Sequence, residues 1–134
     1  MDWKLMFKGA YVSAVELGDK TPTLTISDVK IVKLEGEDGT VKDRGVVYFK
    51  ETDRGWVLCK TNALCLAHMF GPDTDSWKGK HVTLFSMDVQ VGREMKPGIR
   101  VYGSPDIAGP VEVAIKLPKR KAFTMKMAKT GAQA

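Results

Sequence analysis

The sequence predicts a mainly β domain with a single helix between its third and fourth strands. Residues 60–71 (KTNALCLAHMFG) carry a broad apolar stripe at helical spacing, with Thr61 or Asn62 as the N-cap and Gly71 followed by Pro72 at the end. The other apolar segments alternate or run like strands, three before the helix and two after it. This β-β-β-α-β-β order is that of the OB barrel, a five-stranded fold that mostly holds oligonucleotides or proteins.

The first strand, residues 24–34, is expected to be long and bent. Leu24 and Ile26 share one phase, whereas Val29 and Ile31 share the opposite one, so we expect a bulge near residues 27 and 28. A bent strand of this kind can serve two sheets of a small closed barrel.

Four further strands complete the predicted barrel. They are expected at residues 45–50, 56–60, 81–91 and 98–102. Asp38-Gly39 is a typical hairpin turn between the first two strands. A second phase slip is expected between Leu84 and Met87.

The chain divides into three predicted regions around one core. These are an N-terminal arm or extra strand (1–20), the OB-like barrel (21–110) and a basic C-terminal extension (111–134). A length of 134 residues with 43% hydrophobic residues suits one globular domain. The whole net charge of +5 lies in the extension, where six basic residues face only Glu112. A neutral body with a basic tail favours an anionic partner, most often nucleic acid, and the alternative is a solubilising tail.

The sequence predicts a cytoplasmic protein without a membrane segment. No apolar run approaches the roughly 18 residues of a membrane span, and the first eleven residues lack the apolar core of a secretory signal. Cys59 and Cys65 are the only cysteines, which implies no disulfide framework.

The strongest candidate site is the side of the second, third and fifth strands that faces away from the core. Aromatic side chains for stacking on bases occur there with cations for phosphates: Tyr48, Trp56, Tyr102, Lys50, Lys60 and Arg100. Stacking on aromatic rings tolerates any base, and it favours a single strand because a duplex hides its base faces. The alternative is that Tyr48 and Trp56 pack beneath the N-terminal arm.

Basic residues outside these strands are predicted as further phosphate contacts: Arg93, Lys96, Lys119, Arg120 and Lys121. The loop at residues 92–98 is therefore suited to phosphates, whereas the four acids within residues 35–43 would repel them. The contribution of the basic tail is expected to fall steeply with salt.

No motif indicates catalysis, a metal or a cofactor. Cys65 and His68 share a helical face, but such a pair is more often a core residue and a satisfied histidine than a metal site. The turn at residues 77–80 (WKGK) lacks the phosphate-loop pattern. Trp77 is expected to anchor this turn while its lysines are solvated.

Three segments resemble small proteins encoded by bacteriophages and prophages. They are YFKETDRGWVLCKTNA (residues 48–63), WKGKHVTLF (residues 77–85) and GIRVY (residues 98–102). The resemblance implies an OB-like domain, similar to single-stranded DNA-binding proteins, that acts in phage DNA replication or recombination in the host cytoplasm. Its implied partners are phage or host replication and recombination proteins, and it transfers no catalytic residues.

The sequence therefore predicts non-catalytic, sequence-tolerant binding of single-stranded DNA, with RNA as an open alternative. A phage accessory protein-interaction module is the alternative function, and a metal-dependent nuclease is the third. An exposed edge strand would also allow a second copy to pair, giving a homo-oligomer.

Overall fold

The computed structural model describes residues 13–35, 38–91, 93–116 and 121–130. These residues form two α-helices, a 3-10 helix at Thr74–Trp77 and seven strands. The elements are α1 (Ala14–Leu17), β1 (Thr23–Glu35), β2 (Val41–Phe49), β3 (Trp56–Val57), α2 (Lys60–Phe70), β4 (His81–Val91), β5 (Glu94–Ser104), β6 (Val111–Ile115) and β7 (Phe123–Lys129).

The seven strands form one sheet in the order β3-β2-β1-β4-β5-β7-β6. Within the described ranges β3 and β6 have one neighbour each, so the sheet does not close on itself. The predicted mainly β fold, with its helix between the third and fourth strands, is confirmed. The predicted closed five-stranded barrel is not confirmed.

A bulge divides β1 between two neighbours. Residues 23–25 pair with β4, and from Ile26 onwards the strand pairs with β2. Ile26 faces Phe49 and Asp28 faces Tyr48, so Ser27 is the extra residue. The bulge predicted from the change of apolar phase is confirmed at this position.

The second phase slip, predicted between Leu84 and Met87, is wrong. The pairing of β4 with β5 is continuous from Leu84 onwards, and the register shifts between Thr83 and Leu84, where Tyr102 is the extra residue of β5. Met87 is 39% exposed. The prediction assumed that the apolar side chain of Met87 points into the core, but this side chain is not part of the core.

Helix α2 begins at Lys60, two residues earlier than it would with Thr61, the first of its predicted N-cap residues. Cys59 is the N-cap residue and has no side-chain capping bond, whereas Thr61 and Asn62 lie buried inside the first turn. Asn62 instead donates its Nδ2 to the carbonyl oxygen of Ile99 (2.9 Å), which ties the helix to β5. Gly71 ends the helix with φ 108°, as its position before Pro72 predicts.

Residues 13–20 contain α1 rather than the extra strand that was one of the two predictions for this region. Ser13 caps the helix, and Ala14 and Leu17 are buried in the main core. The helix packs against β4 and β5. The carboxylate of Glu16 forms an ion pair with the guanidinium of Arg54, which joins the helix to the loop before β3.

The C-terminal segment is part of the sheet. Strands β6 and β7 form an antiparallel hairpin, and β7 pairs in parallel with β5, where Gly103 faces Ala128. Val113, Ile115 and Met127 are buried in the same core cluster as residues from β1 to β5. This segment therefore contributes to the stability of the body instead of extending from it as a separate tail.

We expect Gly103→Ala to destabilise the protein by about 1–3 kcal/mol, the usual cost of overpacking. A Cβ atom on Gly103 would lie 1.8 Å from the main-chain oxygen of Ala128, so β7 would have to move away from β5. Urea denaturation followed by circular dichroism measures the effect. Gly109→Ala is the matched control, because a Cβ atom there meets nothing within 4 Å. Equal stability of the two variants would contradict the close β5–β7 contact.

Candidate nucleic-acid interface

Beyond the bulge, β1 and β2 form a two-stranded arm with two different faces. The outer face, on the other side of β2 from the main core cluster that contains Val47, consists of Asp28, Lys30, Val32, Leu34, Lys42, Arg44, Val46 and Tyr48. The inner face consists of Val29, Ile31, Lys33, Glu35, Val41, Asp43, Gly45 and Val47. Three cations and one acid lie on the outer face, whereas one cation and two acids lie on the inner face. The outer face is thus the side suited to an anionic ligand.

Trp56 does not lie on the outer face, and its predicted position was wrong. It pairs with Val47 across the β2–β3 ladder and is only 2% exposed. Its ring stacks on Phe49, with centroids 6.2 Å apart and an angle of 20° between the planes. The prediction carried the phase of Tyr48 across residues 50–55, but this irregular connection does not preserve the alternation. Val57 takes the position next to the outer face.

Tyr48 lies half-buried on the outer face, as predicted. The Nζ of Lys30 is 5.7 Å from the centroid of its ring, within the range of a cation–π contact. Val46, the next residue of β2 on this face, is fully buried. Val46 is therefore out of reach of a ligand, which would contact the more exposed residues before and after it on this face, Arg44 and Tyr48.

Two arginines from separate strands reach the connection between β3 and α2. Arg44 of β2 donates from Nη2 to the carbonyl oxygen of Leu58 (3.2 Å). Arg100 of β5 donates from Nη1 to Sγ of Cys59, at 3.5 Å. Lys60, the first residue of α2, is exposed beside them. Arg100 and Lys60, both predicted, thus lie near one another and near Arg44, which was not predicted.

The arm carries three cations that sequence reasoning missed: Lys30, Lys42 and Arg44. Lys42 and Arg44 share the alternating phase of Tyr48, so extending that phase backwards would have found them. They were missed because residues 35–43 were interpreted as a turn and the next strand was expected to begin at Gly45, whereas β2 begins at Val41.

The tip of the arm holds a shallow cavity of about 240 Å³. It is lined by Leu34, Glu35, Asp38, Thr40, Lys42 and Arg44. The main-chain N–H of Thr40 donates to Asp38, and Gly39 has φ 81°, as the predicted hairpin turn requires. Hydrogen bonds from the main chain and the hydroxyl of Thr40 lower the pKa of Asp38, so this carboxylate stays ionised at neutral pH.

Arg93 and Lys96 lie at the other end of the molecule from this arm. They are exposed at the tip of the β4–β5 hairpin, and Lys96 pairs with Glu94 at 3.5 Å. Because β1 and β4 run antiparallel, the β1–β2 arm and the β4–β5 hairpin leave their shared pairing in opposite directions. The structure therefore does not bring these two residues to Tyr48.

The remaining predicted residues are dispersed. Tyr102 is 45% exposed in the bulge of β5, where its ring meets Phe85 edge-on at 5.4 Å. Lys50 is exposed directly after β2. Lys121 is exposed between β6 and β7, at the far side of the strand order from β2, and two predicted residues lie outside the described ranges: Lys119 and Arg120.

The described residues show no arrangement for metal or serine chemistry. No group of three His, Cys, Asp or Glu side chains in these ranges could hold a metal ion. Burial raises the pKa of the Cys65 thiol to about 11, so it stays protonated and packs as an apolar residue. Asp106 accepts from the ring of His81 (2.9 Å), but the Ser104 hydroxyl donates to the main-chain oxygen of His81 and not to the ring.

Comparisons of the chain with protein-family models, with curated proteins and with solved structures found no match. The resemblance to phage-encoded proteins therefore stays a prediction. None of the helices in the described ranges has the length and apolar character that crossing a bilayer requires.

We expect Trp56→Ala to lower the free energy of unfolding by about 3–5 kcal/mol, as for other buried aromatic residues. Tyr48→Ala, eight residues earlier on the opposite face, should cost clearly less because its ring is only half-buried. Chemical denaturation followed by circular dichroism compares the two. A larger loss for Tyr48→Ala would contradict the assignment of these rings to opposite faces.

Proposed function

We propose that this protein binds single-stranded nucleic acid, in the first place DNA, on the outer face of the β1–β2 arm, without catalysis and without sequence preference. The proposal rests on the unequal distribution of charged side chains between the two faces of the arm. Three cations share the outer face with one half-buried aromatic ring, while the acids of β1 and β2 beyond Asp28 lie on the inner face.

The strand connectivity supports this proposal. The five strands β3-β2-β1-β4-β5 follow one another in the sheet, and α2 connects β3 to β4. We propose that this part is an OB-like unit left open between β3 and β5. OB folds bind oligonucleotides across the face of their second and third strands, between the loops that follow the first and fourth strands. Because a shared fold does not imply a shared function, the proposal is based on the cations and the Tyr48 ring of the outer face.

The chemistry of the outer face suits a single strand. A base that stacks on Tyr48 would gain roughly 1–3 kcal/mol whatever its identity. Lys42 and Arg44 are alternate residues of β2, so their positions are roughly 7 Å apart along one line. Such a row can follow a flexible phosphate backbone. A duplex would offer phosphates but no free base face to Tyr48.

The resemblance described above suggests where such binding would act. Single-stranded DNA is the common intermediate of replication and recombination, and a protein that covers it needs neither a cofactor nor a catalytic group. We therefore place the proposed activity in phage DNA replication or recombination, with proteins of those processes as partners.

Titration of a fluorescently labelled dT oligomer, followed by anisotropy, tests the proposal. We expect salt-sensitive binding with a slope of log K against log salt of about −2, because three cations each release counterions. Tyr48→Ala should weaken binding roughly tenfold through the loss of stacking. The double variant Lys42→Ala/Arg44→Ala should flatten the slope by about 1.4.

Lys33→Ala is the matched control, since it removes the same charge from the inner face of the same arm. It should leave both the slope and the stacking contribution unchanged. Absence of binding at about 50 mM salt would contradict the proposal, and so would a change of slope of about 0.7 for Lys33→Ala, half of that expected for the double variant. A duplex of equal length should bind more weakly than the single strand.

The inner face supports a second candidate function, self-association. Ile31 is 77% exposed and Val41 is 60% exposed on this face, which is unusual for large apolar side chains. Lys33 and Asp43 are direct cross-strand partners there, yet no ion pair within the described ranges joins them. Two copies related by a two-fold axis could pair Lys33 of one with Asp43 of the other and cover both apolar residues.

Analytical ultracentrifugation over a range of protein concentrations tests the second candidate. We expect a reversible dimer that Ile31→Lys abolishes. Met95→Lys is the control, because Met95 is similarly exposed (63%) but lies on the β4–β5 hairpin. Lys33→Asp alone should weaken the dimer, and adding Asp43→Lys should restore it. A wild-type chain that stays monomeric at all concentrations would contradict this candidate.

A further inference from the structure

Two lysines from different parts of the chain meet at one carboxylate beside Tyr48. Lys30 Nζ lies 3.8 Å from Oδ2 of Asp28, and Lys78 Nζ lies 3.4 Å from Oδ1. Asp28 is the cross-strand partner of Tyr48, because the extra residue Ser27 brings it to the outer face. Asp28, the only acid among the described residues of the outer face, thus lies where Lys30 and Lys78 converge, and Lys78 Nζ also lies 3.7 Å from Oδ1 of Asp75.

The position of Lys78 is fixed by the main chain. The N–H of Gly79 donates to the carbonyl oxygen of Ile26 (2.8 Å). The N–H of Ile26 donates in turn to the carbonyl oxygen of Lys80 (2.9 Å). Trp77, buried at 4% exposure, holds the same turn through a bond from Nε1 to the oxygen of Gly71 (2.8 Å). The predicted anchoring role of Trp77 is therefore confirmed. Both lysines of this turn are exposed, as expected, and the ammonium group of Lys78 also reaches the Asp28 carboxylate beside the bulge of β1.

The contacts of Asp28 are those that a phosphate would make. Its carboxylate accepts from the N–H of Val29 (2.8 Å) and lies between two ammonium groups. The bond from Val29 and the two lysines lower the pKa of Asp28, so the group is an anion at neutral pH. A phosphodiester oxygen carries the same charge and accepts the same hydrogen bonds. Ion pairs between groups as exposed as these contribute little, so exchange of one anion for another costs little.

Lys30 links this position to the stacking ring. Its Nζ lies over Tyr48 in the free protein. A base that stacks on Tyr48 would displace Lys30 from the ring and leave it free for the phosphate of the same nucleotide. The base and the phosphate of one nucleotide thus have adjacent partners on the outer face.

We propose that the space between Lys30 and Lys78 is a phosphate subsite of the nucleic-acid face, which the Asp28 carboxylate occupies in the free protein and yields to a phosphodiester when a single strand binds. This inference rests on the proposed function, since the ligand is the same single strand. It assigns Lys78 to the interface and makes Asp28 an internal competitor that limits affinity.

The test measures binding of the labelled dT oligomer to Asp28→Asn and to Lys78→Ala, alone and combined. Asparagine keeps the shape of the side chain and an oxygen for the Val29 N–H. Asp28→Asn should bind roughly threefold tighter or more. Lys78→Ala should weaken binding roughly threefold, and in the combined variant it should cancel most of the gain.

Two matched controls separate this subsite from a general effect of charge. Asp88→Asn removes one exposed acid from the β4–β5 hairpin, away from both faces of the arm, and Lys80→Ala removes one lysine from the same turn without touching Asp28. Each control should change affinity less than the corresponding change at Asp28 or Lys78. Equal gains for Asp28→Asn and Asp88→Asn, or equal losses for Lys78→Ala and Lys80→Ala, would overturn the subsite.

The outcomes also separate the subsite from the proposed function. If the wild type binds and Asp28→Asn is no tighter, the subsite is wrong while the function stands. If neither binds, both are wrong. If Asp28→Asn fails to fold, as judged by circular dichroism, the comparison of Lys78→Ala with Lys80→Ala still tests the subsite, because equal losses of affinity would overturn it.

Discussion

Strand β1 hydrogen-bonds first to β4 and then, from Ile26, to β2, and one extra residue, Ser27, follows directly after this change of neighbour. Without this residue the register would slip by one, and every side chain beyond it would move to the other face. The bulge keeps Ile26 and Val29 in the core and sends Asp28 outward to Tyr48. The core, the arm and the charge on each face of the arm all depend on this local departure from regular pairing.

The sequence allowed α2, the strands β1 to β5 and the bulge in β1 to be predicted, because they follow from local periodicity, whereas α1, β6 and β7 were not predicted. It did not allow the face of Trp56 to be predicted, because an irregular loop of six residues separates it from β2. Its side is set by pairing with Val47 and stacking on Phe49, which are tertiary contacts. The pairing of β7 with β5 was also not predicted. The many basic residues near β7 indicated a solvated tail, and the burial of Met127 depends on tertiary contacts.

The candidate site was predictable only in part. Tyr48 was found because the strand around it alternates regularly. Lys42 and Arg44 obey the same alternation but lie where acidic and turn-forming residues suggested a loop. Lys78 could not be found from its neighbours in sequence, because its contact with Asp28 depends on two main-chain bonds between distant segments. The alternation of residues along a strand shows which of its side chains share a face. Long-range hydrogen bonds determine which residues from other segments join that face.

The parallel pairing of β7 with β5 also constrains how the protein is made. Residues of β7 can enter the core only after the other six strands have been synthesised, because β7 is the last of the described strands in the order of the chain. Until then Ile115 and Val113 on β6 lack the hairpin partner that completes their layer. The core of the body is therefore expected to remain incomplete until β7 has been synthesised, and a chain that terminates before β7 should expose apolar residues of β6.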